Sequence, residues 1–132
     1  MSFARIAISA DLSSIAEFDE WRMVSPRTIA AGECFVAGSG DTVDAYAIRT
    51  HWFHGRPFIS MLYVRPGSRR SGLGNALLAH LESISTRDRI WISTNSDNLP
   101  MQGLLQKRGY ERSGIIENLD PIPELVYSKI IS

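Results

Sequence analysis

The sequence predicts an α+β fold built around a mixed, mainly antiparallel sheet of about seven strands with about four helices. Three observations lead to this prediction. Short apolar runs of strand length recur along the chain, and four other segments carry helical periodicity or helix start signals. These segments follow one another in the order β-α-α-β-β-β-α-β-α-β-β. No repeat, linker or low-complexity stretch divides the 132 residues, so one domain over residues 1–132 is expected.

The N-terminal part predicts a strand followed by a helix. Residues 5–9 (RIAIS) alternate apolar and polar side chains, as a half-buried strand does. Asp11 occupies a position that favours a helix N-cap, and apolar residues at helical spacing continue from there to Trp21. The predicted helix therefore has one apolar side and runs to about Trp21.

A shorter helix and a hairpin come next. Ser25 before Pro26 indicates a helix start, and Gly32 indicates its end. Residues 33–37 and 43–50 predict two strands, because each is rich in apolar residues and a turn-rich Gly-Ser-Gly-Asp sequence joins them. Cys34 lies in the first of these strands and is predicted to be a buried thiol rather than a nucleophile.

The most informative segment is FISMLYVRPGSRRSGLGNALL, residues 58–78. Its apolar start predicts a buried strand that ends at Pro66-Gly67, and from Gly72 the apolar period becomes that of a helix. A basic loop with glycines at 72 and 74 lies between them. Such a loop directs unpaired N–H groups and the positive end of the helix dipole at an anion. Because glycine has no Cβ, a phosphate can approach the main chain closely.

The sequence of this loop does not match either of two familiar nucleotide-binding motifs. A Walker loop needs Gly-Lys-Ser/Thr, where this chain has Asn75-Ala76, and the dinucleotide fingerprint needs a third glycine, where it has Leu77. The pattern that remains is Arg69-x-x-Gly72-x-Gly74. It resembles the R/Q-x-x-G-x-G/A loop of the GNAT superfamily, acyltransferases that use acetyl-CoA and bind its pyrophosphate at this loop.

A second segment strengthens the resemblance. Residues 90–94 (IWIST) predict a buried strand, and Asn98 is a good N-cap for the helix that follows. The order is similar to the second cofactor motif of GNAT proteins, N-x-x-A-x-x-x-Y-x-K-x-G-F. Met101 stands at the alanine position, and the matching residues are Asn98, Lys107, Gly109 and Tyr110. With closing strands that also resemble the family, the chain is identified as a small bacterial single-domain member.

The resemblance implies a site for acetyl-CoA and no metal. In the family, the fourth and fifth strands splay into a V that admits the pantetheine arm. The amide of Leu62 is the oxyanion donor that the family leads us to expect. Three scattered histidines and one cysteine have no metal-ligand spacing. The residues expected to bind acetyl-CoA are Leu62, Val64, Arg69, Arg70, Ser71, Gly72, Leu73, Gly74, Asn75 and Asn98.

The acid and base positions depart from the family pattern. Many members place a tyrosine at the eighth position of the second motif to protonate the thiolate, where this chain has Leu105. Close relatives place a glutamate on the fourth strand, where this chain has Ser60. Serine is not basic near neutral pH, so Ser60 is assigned at most a water that relays a proton. His51, His54 and the carboxylates of the last loop remain candidate bases. Those carboxylates are also expected to bind a cationic acceptor, and they are Glu117, Asp120 and Glu124.

The resemblance implies an N-acetyltransferase that moves an acetyl group from acetyl-CoA directly to a primary amine of a small molecule or peptide. Ser60 and Leu105 leave a second function open, an acyl-CoA-binding module with little or no turnover. The chain has 14 basic and 14 acidic residues, which argues against general binding to nucleic acids or acidic membranes.

Composition and aromatic residues bear on location and oligomeric state. No disulfide framework, signal peptide or transmembrane span is visible, so a cytoplasmic location is expected. Trp21, Trp52 and Phe53 could be buried between subunits, which leaves a homodimer open.

Overall fold

The computed structural model describes residues 2–86 and 88–131, and its elements follow the predicted order. The ends of the predicted domain, residues 1 and 132, lie outside the described residues. The strands are β1 (Ser2–Ile6), β2 (Cys34–Ser39), β3 (Thr42–Phe53), β4 (Arg56–Val64), β5 (Arg89–Asn95), β6 (Glu111–Ile116) and β7 (Glu124–Ile130). The helices are α1 (Leu12–Ala16), α2 (Pro26–Ala30), α3 (Leu73–Ile84) and α4 (Leu99–Lys107).

The strands form one seven-stranded sheet in the order β1-β2-β3-β4-β5-β7-β6. The pairs β1–β2, β2–β3, β5–β7 and β6–β7 are antiparallel, and β4–β5 is parallel. The predicted mixed, mainly antiparallel sheet is therefore confirmed. By its internal contacts the chain divides into two compact units, one with residues up to Thr50 and Ser60–Ile84, the other with His51–Ile59 and residues from Ser85 onward.

The first unit has an apolar core between its helices and strands. Ile15, Phe18, Cys34 and Tyr46 are buried in this core, and Tyr63 packs against it while partly exposed. Helix α3 buries leucines at positions 73, 77, 78 and 81. Removing such side chains from water is the main source of stability for a domain of this size.

Helix α1 is shorter than the sequence predicts. It ends at Ala16, and Trp21 is 62% exposed. The carboxylate of Asp19 accepts the main-chain N–H groups of Met23 at 3.0 Å and Val24 at 2.9 Å. It also accepts the Tyr46 hydroxyl at 2.7 Å. These bonds hold the chain in a turn where the predicted helix would have continued.

Asp11 stands at the predicted N-cap position of α1, but its side chain does not cap that helix. Its carboxylate makes no bond to α1 but turns back to accept the main-chain N–H of Ile8 at 2.8 Å and both terminal nitrogens of Arg5, at 2.8 and 3.1 Å. A two-point bond to a guanidinium favours the charged carboxylate more than a helix amide does. Asp11 therefore ties β1 to the turn before α1.

This ion pair predicts a pH dependence of stability. The bonds from Arg5, which outweigh the effect of burial, lower the pKa of Asp11 below its ordinary value of 3.8. A carboxylate whose pKa is lower in the folded chain stabilises the fold above its unfolded pKa, and that contribution is lost as the pH falls through the folded pKa. The difference in unfolding free energy between the wild type and Asp11→Asn should therefore shrink from pH 6 to pH 3. Urea unfolding at each pH measures it, and a constant difference would contradict the assignment.

In the second unit, β5 pairs with β7 along its whole length, from Arg89 opposite Ile130 to Asn95 opposite Glu124. The parallel contact of β4 with β5 places Phe58 beside Trp91. The predicted cap of α4 is confirmed, because the Asn98 side chain accepts the N–H of Met101 at 3.2 Å. Among the described residues, none of the helices has the length and apolar character needed to cross a membrane.

Candidate functional site

The glycine loop runs from the end of β4 to the start of α3 and is folded by its own hydrogen bonds. The N–H of Ser68 donates to the carbonyl of Arg65 at 2.9 Å, and the Ser71 hydroxyl donates to the carbonyl of Ser68. Gly72 has a φ of 85°, in the left-handed region that glycine adopts without strain. Gly72 therefore lets the chain turn sharply into the helix.

The start of α3 has main-chain amides without a protein acceptor among the described residues. The N–H of Ala76 donates to the carbonyl of Gly72 at 2.9 Å, which closes the first helical turn. The amides of Leu73 and Gly74 precede this bond, and neither donates to a protein acceptor within residues 2–86 and 88–131. A Cβ built on Gly72 would meet nothing within 4 Å, so the space beside it is open. Open space, free amides and the helix dipole together suit an anion.

Two arginines add positive charge to this loop. Arg69 and Arg70 are both exposed. Arg69 donates from Nε to the carbonyl of Val64 at 3.1 Å, and its guanidinium lies over the ring of Tyr63, 5.2 Å from the centroid. Arg70 has a φ of 65°, so the turn holds a bulky residue in a sparsely populated conformation. Both residues therefore add positive charge to the exposed loop.

The main chain of β4 leads into this loop. The N–H of Arg65 donates to the carbonyl of Asp44 in β3 at 2.7 Å. Because peptide groups alternate in direction along an antiparallel strand, the N–H groups of Leu62 and Val64 point away from β3. The side chains of both residues are half-buried. The expected oxyanion donor and its neighbour therefore lie on the edge of β4 that does not face β3.

The structure places no acidic or basic side chain at the two positions where the family has its acid and base, because these positions hold Ser60 and Leu105. Ser60 is exposed on β4. Leu105 is completely buried in α4, so an aliphatic core residue stands at the position of the missing tyrosine. Cys34 supplies no nucleophile in their place, because burial raises the pKa of its thiol to about 12.

The three carboxylates of the last loop are not equivalent. Glu124 lies on β7, is half-buried and accepts the Ser93 hydroxyl at 2.9 Å. Glu117 and Asp120 are exposed in the connection between β6 and β7. The bond from Ser93 was invisible in the sequence, because the two residues are 31 positions apart.

The structure also contains an acidic cleft that sequence reasoning missed. The cleft has a volume of about 590 Å³ and lies in the first unit, between the segment after α1 and the end of β4. Its aromatic wall is Tyr63, whose hydroxyl donates to Glu20 Oε1 at 2.9 Å. Arg65 donates to Asp44 at 2.9 Å and to Glu17 at 3.1 Å, so it joins β3 to the end of α1. The residues that line the cleft are Ala16, Glu17, Phe18, Asp19, Glu20, Arg22, Tyr63, Arg65 and Pro66.

Comparisons with known proteins agree with the fold. Residues 7–110 match the model of the acetyltransferase (GNAT) family. A mycothiol acetyltransferase of Geodermatophilus obscurus is 35% identical over 71 residues, which is 48% of this chain but only 23% of that relative's length.

Solved structures show the same fold. A GNAT-family acetyltransferase from Bacillus cereus ATCC 10987 is 28% identical, with a TM-score of 0.91 over 100% of this chain and 99% of that one. The Salmonella typhimurium protein yncA, solved with its cofactor acetyl-CoA, is 18% identical, with a TM-score of 0.79 over 99% of this chain and 94% of that one. Since the family model covers most of the sequence, this protein belongs to the GNAT acetyltransferase family.

Proposed function

We propose that the protein transfers the acetyl group of acetyl-CoA directly to a primary amine of a small molecule or peptide. The glycine loop carries this proposal, because its free amides at the start of α3 and its two arginines suit a diphosphate. Membership of an acetyltransferase family supports the reaction, and the acetyl-CoA bound to yncA supports the donor. We also propose that residues 1–132 form one domain and that the protein is located in the cytoplasm.

The coenzyme would be held mainly by main-chain groups. The amides from Arg69 to Asn75 would bind the diphosphate, and each charge-assisted hydrogen bond contributes about 1.5–3 kcal/mol. The main chain of Leu62 and Val64 would pair with the amides of the pantetheine arm, as an added strand pairs with a sheet edge. Asn98 already caps α4, and we propose that its side chain also contacts the coenzyme.

The chemistry would rely on position more than on a dedicated acid or base. The N–H of Leu62 would stabilise the negative charge that develops on the thioester oxygen. Ser60 would hold a water that takes the proton of the attacking amine, and solvent would protonate the leaving thiolate. Binding the two substrates together supplies much of the rate in such a reaction. Glu117, Asp120 and Glu124 would attract a cationic acceptor.

The proposal includes a homodimer. Trp21 and Trp52 are exposed, and contact between two subunits would bury them.

The alternative is a GNAT-fold module that binds acyl-CoA without turnover, which Ser60 and Leu105 favour. Two measurements separate the functions. Thermal shift assays with CoA, acetyl-CoA and ATP should show stabilisation by the two CoA ligands and not by ATP. Release of free thiol from acetyl-CoA, followed with a panel of amines, should then exceed the rate of hydrolysis for at least one amine. Selective stabilisation with no amine-dependent release would favour the binding module.

Restoring a carboxylate at Ser60 tests the proposed water relay. Because Ser60 is exposed on β4, a glutamate fits there without entering the core. Ser60→Glu should raise kcat about tenfold at neutral pH, less than the roughly 10²–10⁴-fold that a fully positioned general base contributes, because the site was not built around this carboxylate. The pH profile of kcat/KM should gain a limb that reports the new carboxylate, and Ser60→Gln is the matched control of similar size. Equal rates for the two variants would mean that the amine loses its proton elsewhere.

A further inference from the structure

We propose that Tyr63 is a positioning residue for the glycine loop. Its ring holds Arg69 at the loop, and its hydroxyl, bonded to Glu20, keeps the ring in place. The inference rests on the proposed function, because it assigns Arg69 to the diphosphate. It adds a residue outside the glycine loop to the determinants of coenzyme affinity.

The ring of Tyr63 is fixed by contacts on several sides. It stacks on Phe18 with 6.5 Å between ring centroids and 12° between the planes, and it lies 6.1 Å from the ring of Tyr46. Its hydroxyl donates to Glu20 Oε1 at 2.9 Å. A tyrosine held by two rings and a carboxylate has little rotamer freedom left. The ring is therefore a stable surface rather than a mobile side chain.

Arg69 lies on this surface. Its guanidinium is 5.2 Å from the centroid of Tyr63, a distance at which a cation is attracted to the face of the ring. Nε is bonded to the carbonyl of Val64 at 3.1 Å, and the guanidinium also interacts with the Tyr63 hydroxyl, so two contacts besides the ring face position the fork for a ligand phosphate. An exposed arginine otherwise samples many rotamers, and it would lose this freedom on binding a phosphate. Contact with Tyr63 orders the Arg69 side chain before the ligand arrives.

Glu20 connects this arrangement to the acidic cleft. The other carboxylates of the cleft are held by other groups: Glu17 accepts from Arg65, and Asp19 accepts from Tyr46 and two main-chain amides. Glu20 is the one that bonds to Tyr63. A change at Glu20 should therefore alter coenzyme affinity, although Glu20 lies 43 positions before Tyr63 and outside the glycine loop.

The test compares two acyl donors that differ only in the part that the glycine loop would hold. S-Acetylpantetheine has the thioester and the pantetheine arm but no diphosphate or nucleotide. In Tyr63→Leu, the ratio of kcat/KM for acetyl-CoA to that for S-acetylpantetheine should fall about tenfold. Tyr63→Phe and Glu20→Ala keep the ring, and each should lower the ratio about two- to threefold, mainly through KM. A general loss of structure would lower both kcat/KM values together and leave the ratio unchanged.

An Arg69→Ala background completes the experiment. If Tyr63 acts through Arg69, Tyr63→Leu should not lower the ratio further in that background. The same fall with and without Arg69, or an unchanged ratio in all three variants, would overturn the inference. If Tyr63→Leu does not fold, the same comparison with Tyr63→Phe decides the question. A wild type that uses neither donor would instead refute the proposed function.

Discussion

Replacing Gly74 with valine is expected to raise the KM for acetyl-CoA about tenfold or more. Gly74 lies in the first turn of α3, beside an amide that has no protein acceptor. A branched side chain there would hold a diphosphate away from the main chain. Losing one charge-assisted hydrogen bond costs about 1.5–3 kcal/mol, which corresponds to a tenfold change or more.

The backbone itself should tolerate this substitution. Gly74 is not among the glycines with positive φ, and valine has a slightly better helix propensity than glycine. Gly103→Val in α4 is the matched control, because Gly103 also lies in a helix and a Cβ there would meet nothing within 4 Å. Steady-state kinetics should show a raised KM only for Gly74→Val, with a melting temperature close to that of the wild type. An unchanged KM would remove the amide of Gly74 from the binding site.

Replacing Asp19 with alanine is expected to lower the free energy of unfolding by about 3 kcal/mol. The variant would lose the bonds to the amides of Met23 and Val24 and to the hydroxyl of Tyr46, which is completely buried. A hydrogen bond to a charged group contributes about 1.5–3 kcal/mol, and a buried hydroxyl left without a partner adds a penalty. Because water can reach the two amides, the total should stay below the sum of three such bonds.

Chemical denaturation measures this effect, with two comparison variants. Tyr46→Phe removes both the donor and its need for a partner, so it should cost only about 1 kcal/mol. Asp41→Ala changes an exposed aspartate in the turn between β2 and β3 and should cost less than about 0.5 kcal/mol. Equal losses for Asp19→Ala and Asp41→Ala would show that the turn after α1 is held by other contacts.

The order of the elements could be predicted because its signals are local. Ser25-Pro26 and Asn98 mark helix starts within a few residues, and the structure confirms both caps. The end of α1 could not be predicted in the same way. It depends on the bond from Tyr46 to Asp19, which joins residues 27 positions apart. Apolar periodicity continues to Trp21, but it carries no information about that bond.

In the candidate site, too, local features could be predicted from the sequence and long-range contacts could not. The glycine loop is a local motif, so its residues could be predicted from their order alone. The pairs that organise its surroundings are distant in sequence: Tyr63 with Glu20 and Arg65 with Glu17 are 43 and 48 positions apart. Only the folded chain brings these side chains together. A main-chain donor such as Leu62 has no side-chain signature at all, so its role rests on the family resemblance.

A crystal structure of the protein with bound CoA tests the central claim most directly. The account predicts diphosphate oxygens within hydrogen-bond distance of the amides of Gly72, Leu73 and Gly74, with the guanidinium of Arg69 beside them. A coenzyme bound at another surface, with no part of it on these amides, would contradict it.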